Sequence, residues 1–371
     1  MPELPEVEAM RHLVEKHCGG RTITKVIAAD DSKVFADGCS PKMVTALTNR
    51  KLVGGVRKGK WLLLEFQSEN LKCTVALHCG MTGSLVVRGV PAFQYKEFVV
   101  HDEVWPPRFC KLELEFGGAS LAFTDPRRFG RIHLVDDPGA FAPVVALGWD
   151  MLTAPPTLEQ FSQGLAKRSG PIKGVLLDQS FTAGVGNYIA DEGLYQARLH
   201  PAHPANQLTP EQQSTLLKQL VHVIATASAV GADAGRFPSD WLFHFRWAKR
   251  AQEAKDACGH VISFETVAGR TSAVVAVMQK RPPSNKTSRK RQDKADKTRP
   301  AKSQRTSAPA IQRTSTLAQS LRRTDTTTSK LRPISRRNQR REGKQKIKDK
   351  REKRRPPPVT VSGRTRAGSK A

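Results

Sequence analysis

Cysteine is scarce and scattered in this chain. The six are Cys18, Cys39, Cys73, Cys79, Cys110 and Cys258, with no Cys-x-x-Cys pair among them. That spacing excludes a disulfide-stapled scaffold and a four-cysteine zinc cluster, so the residues read as reduced thiols of an intracellular protein. Long apolar runs are also missing, and none approaches the roughly 20 residues of a membrane span. A secretory leader is excluded by a start that is acidic and polar rather than basic and then apolar. Internal repeats are absent, which excludes solenoids and propellers. Nothing in the composition calls for a cofactor. Acidic residues are the last shortage, 34 against 61 Lys and Arg.

The resulting net charge of +27 predicts a polyanionic partner. It is unevenly placed. Residues 281–371 carry 30 Lys and Arg against 6 Asp and Glu, which leaves residues 1–280 nearly balanced. This tail is rich in Lys, Arg, Ser, Thr, Pro and Gln, has almost no aromatics, and cannot bury a core. Its basic blocks, Lys286 to Lys294 and Lys346 to Arg355, suit a nuclear localisation signal, a nonspecific DNA tether, or both.

The chain opens on Met1-Pro2-Glu3-Leu4-Pro5-Glu6-Val7-Glu8. Pro5 suits the first turn of a helix, Glu6 and Glu8 complement its dipole, and Val7, Met10, Leu13 and Val14 share one face. Gly19-Gly20 ends the run. Such a helix docks the terminus. With Met1 removed, Pro2 becomes a secondary amine with a pKa of about 7.7–8, partly neutral near physiological pH. Attack by such an amine on a carbonyl-like carbon gives a cationic iminium, an electron sink for elimination, and Glu3 beside it can move protons.

Residues 21–135 read as short strands, including 22–27, 60–66, 73–78, 84–87, 111–116 and 131–135, with Gly54-Gly55 and Gly117-Gly118 as turns. Alternation over Lys111–Phe116 predicts one wet face. The pattern argues for a β-sandwich or barrel. Helical patterns follow residue 156, opened by capping boxes at Thr157/Gln160 and Thr209/Gln212, the second leading a helix to about Ala229. From about 247 to 280 the strand pattern returns. The expected organisation is a multidomain α+β chain. An N-terminal catalytic β-sandwich domain spans 1–140 and a linker 141–156. A helical domain spans 157–246, a hairpin 247–280 and a disordered basic tail 281–371.

Four stretches carry further chemistry. Lys58-Gly59-Lys60-Trp61 puts a lysine at the head of an apolar strand. His78-Cys79-Gly80-Met81-Thr82-Gly83 is a tight turn that pushes Met81 outward. Thr124-Asp125-Pro126-Arg127-Arg128-Phe129-Gly130 is a loop that carries an exposed aromatic among cations, suited to wedging between bases. Leu176-Leu177-Asp178-Gln179 through Glu192 includes Gly184-Val185-Gly186-Asn187, a turn into a helix start where Asn187 would cap and amides would meet phosphate.

Taken together, the opening residues and these stretches resemble the formamidopyrimidine-DNA glycosylase and endonuclease VIII family. The resemblance implies a helix–two-turn–helix element within the helical domain. It also implies a bifunctional glycosylase and AP lyase of base excision repair, cleaving by β,δ-elimination. Its implied partner is duplex DNA with oxidised bases or abasic sites, bound by a monomer with no membrane contact. It implies Pro2, Glu3, Glu6 and Lys60 as the catalytic group, with Pro2 attacking the sugar C1′ and Lys60 on lesion phosphates. For DNA binding it implies His78, Met81, Arg128, Phe129, Lys173, Asn187 and Arg270. Met81 would fill the gap left by the flipped nucleotide and Phe129 would wedge the stack. Where bacterial members close on zinc, this chain offers Cys258 and His260, so a zincless finger with no metal is expected, Arg270 at its turn. The stretch 231–250 is shorter than the one that in bacterial members covers an everted 8-oxoguanine, so the resemblance implies formamidopyrimidines and hydantoins, with oxidised pyrimidines as a further substrate class, rather than efficient 8-oxoguanine removal. A nuclear location follows from the tail. The alternative is a non-catalytic damaged-DNA-binding protein. A ribosomal or topoisomerase-like protein would explain neither Pro2 nor the 125–130 loop.

Overall fold

In the computed structural model, residues 2–69, 71–92, 100, 104–248 and 253–282 are described, all within one compact unit. Helix α1 (Leu4–Cys18) opens the chain. Its first turn is set by Pro5 and by a capping box between Glu3 and Glu6, in which Glu6 Oε2 accepts from Glu3 N at 2.8 Å. Leu4, Val7, Met10, Val14 and Cys18 form its buried stripe, and Gly19 caps its end.

Two four-stranded antiparallel sheets follow. Strand β1 (Ile23–Ala28), helix α2 (Ser40–Leu47), β2 (Lys51–Lys58), β3 (Trp61–Ser68), β4 (Leu71–His78) and β5 (Ser84–Val87) come first. Then come β6 (Cys110–Phe116), β7 (Ala119–Thr124) and β8 (Arg131–Val135). One sheet runs β1-β6-β7-β5, the other β2-β3-β4-β8. Leu62, Leu64, Phe66, Val75, Leu77, Leu112, Leu114 and Phe123 meet in the core, together with Val7, Met10, Val14 and Cys18 of α1.

Three local expectations change. Gly54-Gly55 is not a turn; it lies inside β2 beside a bulge, where Gly55 lets Leu64 and Arg11 approach. Strand β6 has no clean wet face, because Glu113 is buried and accepts a hydrogen bond from Trp105 Nε1 at 2.6 Å. Strands β2 and β7 and helix α2 are additions to the expected elements, β2 because its glycines mimic a turn.

The stretch after β8 is ordered too. It holds α3 (Ala142–Val145) and β9 (Trp149–Asp150), which pairs in parallel with β10 (Thr182–Ala183) beyond α4 (Leu158–Ala166) and α5 (Ile172–Leu177). Helices α6 (Asn187–Gln196) and α7 (Pro210–Ala229) complete a second core around Phe161, Ile172, Leu194, Leu220 and Ile224. Thr157/Gln160 and Thr209/Gln212 form their capping boxes as expected. Strands β11 (Ser263–Val267) and β12 (Arg270–Val274) make the closing hairpin. Its two-residue tip, Ala268 and Gly269, has positive φ at both positions, as the strand twist requires. The basic blocks of the tail lie outside the described residues.

Helix α1 packs against β2 and also against α7, so it touches both cores. A buried ionic cluster fixes this junction. Arg57 Nε donates to Glu8 Oε2 at 2.8 Å and Nη2 to Asp150 Oδ1 at 3.0 Å. Asp150 also accepts from Gly59 N, Leu152 N and Thr153 N. Removing Arg57 leaves the buried Asp150 carboxylate without a cation, whereas Glu8 keeps Arg11. Arg57→Met should therefore cost about 3–5 kcal/mol of stability. Urea unfolding measures it, and a loss within experimental scatter would show that the cluster does not hold the junction.

Candidate active site

The start of α1 faces the start of α6. Glu3 is buried, and its carboxylate accepts from Tyr188 N at 3.0 Å and Ile189 N at 3.2 Å, the free amides of the first turn of α6. Leu4 N donates to Gly184 O at 3.1 Å. A Cβ at Gly186 would collide with the carboxylate of Glu3, and one at Gly184 with Leu4. Asn187 is not the cap: Gly186 holds that position, Asn187 is the first helical residue, and Glu3 supplies the capping oxygens from the other end of the sequence.

Pro2 lies buried beside this contact. Glu6 completes it, with Oε1 accepting from Tyr188 O–H at 3.0 Å and Oε2 from Glu3 N. Burial, reinforced by the neighbouring Glu3 carboxylate, pushes the Glu6 carboxyl up to about 7. Burial also drives the Tyr188 hydroxyl well above its usual range, so it stays protonated and a donor. Lys60 follows the turn after β2, where Gly59 adopts positive φ and lies against Ala183 and Gly184. Its Nζ donates to Val185 O at 3.1 Å. Burial lowers its pKa, the charges of Glu3 and Glu6 oppose that, and Arg270 adds to it, so these four groups share one field. Arg270 is exposed at the hairpin tip.

The opposite wall comes from the sandwich. His78 ends β4; Gly80 N donates to its Nδ1 at 3.1 Å, which leaves the proton on Nε2. Burial, with help from Lys60 and Arg131, lowers His78 to about 4, so it is neutral. Gly80, at φ +59, packs where a Cβ would strike the backbone of Phe129 and Gly130. The Met81 turn and the 125–130 loop are thereby held together. Asp125 shapes that loop, accepting from Thr82 Oγ1, Arg127 N and Gly130 N. Phe129 is 48% exposed, with the Arg127 guanidinium 4.9 Å from its ring centroid. Met81 is half-buried.

Lys173 departs from its expected place. It is 0% exposed, donating to Asp191 Oδ1 at 2.6 Å, Ser272 Oγ at 2.8 Å and Thr271 O at 2.9 Å. It is an internal strut between α5, α6 and the hairpin, and meets no outside surface. Asn187 Nδ2 donates to the same Thr271 carbonyl at 3.1 Å. Asp191, Arg246 and Tyr188 escaped sequence reading; the tyrosine follows Asn187 directly, but its contact with Glu6 spans the whole domain pair. In the hairpin, donor atoms of Asp256, Cys258 and His260 lie within 4.8 Å of one another. Asp256 already accepts from Cys258 N, His260 N and Tyr195 O–H, so its carboxylate organises the turn. A closed structural zinc site takes four ligands, and this set offers three among the described residues.

Glu6 carries a pH signature. A carboxyl raised from 4.5 to about 7 adds stability that is fully present below pH 4.5 and lost as pH climbs through 7. The loss reaches about 3 kcal/mol. Glu6→Gln keeps an acceptor oxygen but no titrating proton, and should flatten that fall when unfolding is measured at pH 5 and pH 8. Parallel curves for both proteins would refute the raised carboxyl.

Comparison with known proteins agrees with this architecture. The model of the formamidopyrimidine-DNA glycosylase N-terminal domain matches residues 1–132, and that of the formamidopyrimidine-DNA glycosylase H2TH domain matches residues 147–239. The chain is 42% identical over 305 residues to a formamidopyrimidine-DNA glycosylase of Arabidopsis thaliana, covering 81% of this chain and 75% of the relative. It is 35% identical to one from Chloroflexus aurantiacus, covering 73% of this chain and 95% of that protein. The crystal structure of MutM (Fpg) from Thermus thermophilus superposes with a TM-score of 0.59 at 30% identity, over 76% of this chain and all of that one. Lactococcus lactis Fpg in complex with DNA containing N7-benzyl-Fapy-dG gives 0.62 at 26% identity, over 76% of this chain and 100% of that one. With both family domains matched in sequence over a β-sandwich and an H2TH element, the chain belongs to the formamidopyrimidine-DNA glycosylase family.

Proposed function

We propose that this protein is a bifunctional DNA glycosylase and AP lyase of base excision repair. One observation carries the reading: the Pro2-Glu3 start is pinned against the α6 N-terminus, among Glu6, Lys60 and Arg270. With Met1 removed, the Pro2 nitrogen attacks C1′ of the flipped nucleotide and the glycosidic bond to the base breaks. Glu3 moves the proton lost from nitrogen to the ring oxygen, which opens the sugar and leaves an iminium at C1′. Loss of a C2′ proton then expels the 3′ phosphate, and a second elimination expels the 5′ phosphate. Lys60, Asn187 and Arg270 hold lesion phosphates; Met81 and Phe129 fill the vacated stack and Arg128 pairs with the orphaned base, with neutral His78 near the Met81 turn. Lys173 acts by bracing the hairpin that carries Arg270. The hairpin works without a metal. The basic tail directs the protein to the nucleus and adds a salt-sensitive hold on DNA.

Borohydride trapping tests the chemistry. The full chain should lose Met1 by mass and form a covalent adduct with a duplex that contains an abasic site. Pro2→Gly should bind the same duplex yet trap at background. Equal trapping removes Pro2 as nucleophile, and binding without any adduct leaves only a damaged-DNA-binding protein.

Residues 234–244 fold into short 3-10 turns whose Phe237, Trp241 and Phe243 belong to the helical core, so little of the segment is free to cover an everted base. Formamidopyrimidine and hydantoin duplexes should be cleaved about 10-fold or more faster than 8-oxoguanine duplexes in single-turnover assays. A faster 8-oxoguanine reaction would overturn this ranking.

A further inference from the structure

One exposed aromatic takes no part in the proposed chemistry. Phe109 is 41% exposed and sits at φ +64, a conformation that a bulky L side chain adopts only where its surroundings force it. The Arg108 guanidinium lies 4.6 Å from its ring centroid. This pair repeats the arrangement of Arg127 and Phe129, where the cation lies 4.9 Å from the ring. Phe109 O accepts from Asp125 N at 3.1 Å, and Cys110 N donates to Pro107 O at 3.1 Å. The backbone is therefore held on both sides of an aromatic ring that stays open to solvent.

Strand register places the pair. Thr124, the last residue of β7, lies opposite Ser84 of β5 on one side and Cys110 of β6 on the other. Three segments therefore leave the same end of one sheet side by side: the Met81 turn, the 125–130 loop and Arg108-Phe109. The third lies on the side of Arg128. Arg128 Nε and Nη2 donate to Asp31 Oδ2 and Oδ1, both at 2.8 Å, and Lys111 Nζ, two residues beyond Phe109, reaches the same Oδ2 at 3.0 Å. A single exposed apolar side chain needs no explanation. One held at positive φ, under a cation and level with a base wedge, suits a nucleic-acid flank: the ring face packs on a base or sugar, and the guanidinium meets the phosphate, whatever the sequence. We propose that Arg108 and Phe109 form a second DNA contact beside the wedge, in which Phe109 packs on the nucleotide next to the orphaned base and Arg108 holds its phosphate. The contact forms on the kinked duplex, where that nucleotide is unstacked from its neighbour. This rests on the proposed function, in which the 125–130 loop enters the stack.

The test is fluorescence anisotropy of the full chain on two duplexes, one with a non-cleavable abasic-site analogue and one undamaged. Phe109→Ala should weaken binding to the abasic-analogue duplex about 10-fold, the scale of one aromatic stack, and binding to the undamaged duplex by less than about threefold. Phe109→Gly removes the ring and suits the positive φ, so it should do the same and serves if the alanine variant is unstable. Arg108→Ala should reduce the slope of log Kd against log salt by about one, as for one phosphate contact. A 2-aminopurine placed next to the orphaned base should change its fluorescence when wild type binds, and by less than about half as much with Phe109→Ala. Unchanged affinity in the Phe109 variants, an equal loss on both duplexes, an unchanged salt slope in Arg108→Ala or an undiminished 2-aminopurine signal overturns the inference. A wild-type chain with no preference for the abasic-analogue duplex instead defeats the proposed function itself, so the two failures are told apart.

Discussion

The Glu3 carboxylate is the contact on which the rest depends. It belongs to the helix of the sandwich yet caps the first turn of a helix in the other core. A helix start carries free amides and a partial positive charge, and a buried carboxylate needs donors. Each satisfies the other, and the position of the terminus is fixed as a result. The glycines at 184 and 186 exist for the same contact, because a side chain at either would push the two helices apart.

Around that contact buried ion pairs fix the geometry of elements that the apolar cores hold together. Arg57 holds Glu8 and Asp150, Lys173 holds Asp191, and Arg246 holds the other oxygen of Asp191. Buried ion pairs add little net stability, but they tolerate no slippage, because each slipped partner is left unpaired. They set the distance between sandwich, helices and hairpin, and so between Pro2, Lys60 and Arg270. The raised Glu6 carboxyl and neutral His78 come from the same enclosure, one acid held partly protonated and one base held uncharged.

The exposed features are arranged in contrast. Phe129, Arg127, Arg128 and Arg270 stand out from loops that are themselves immobilised, by Asp125 on one wall and by Lys173 beneath the other. Ordering these loops beforehand lowers the entropy lost on binding. Such a surface suits a bent, extrahelical substrate, for which empty stacking space must be filled as it opens.

Much of this was legible in the residues because it is local. Caps at Thr157 and Thr209, the stripe of α1, the Asp125–Gly130 loop and the lopsided charge each follow from neighbours in sequence. Local pattern misled where a bulge used glycines, as in β2, and where a buried group found its partner outside its own strand, as with Glu113 and Trp105. Lys173 looked like a surface cation because nothing near it in sequence announces Asp191 or Thr271. The residue types and spacing by themselves determined the domain classes, the nucleophile candidate and the polyanionic partner. Only the tertiary structure decided which carboxylate caps α6, which cations are struts and which are free, and that Asp31 meets Arg128, since those pairings join residues tens to almost two hundred positions apart and no periodicity encodes them.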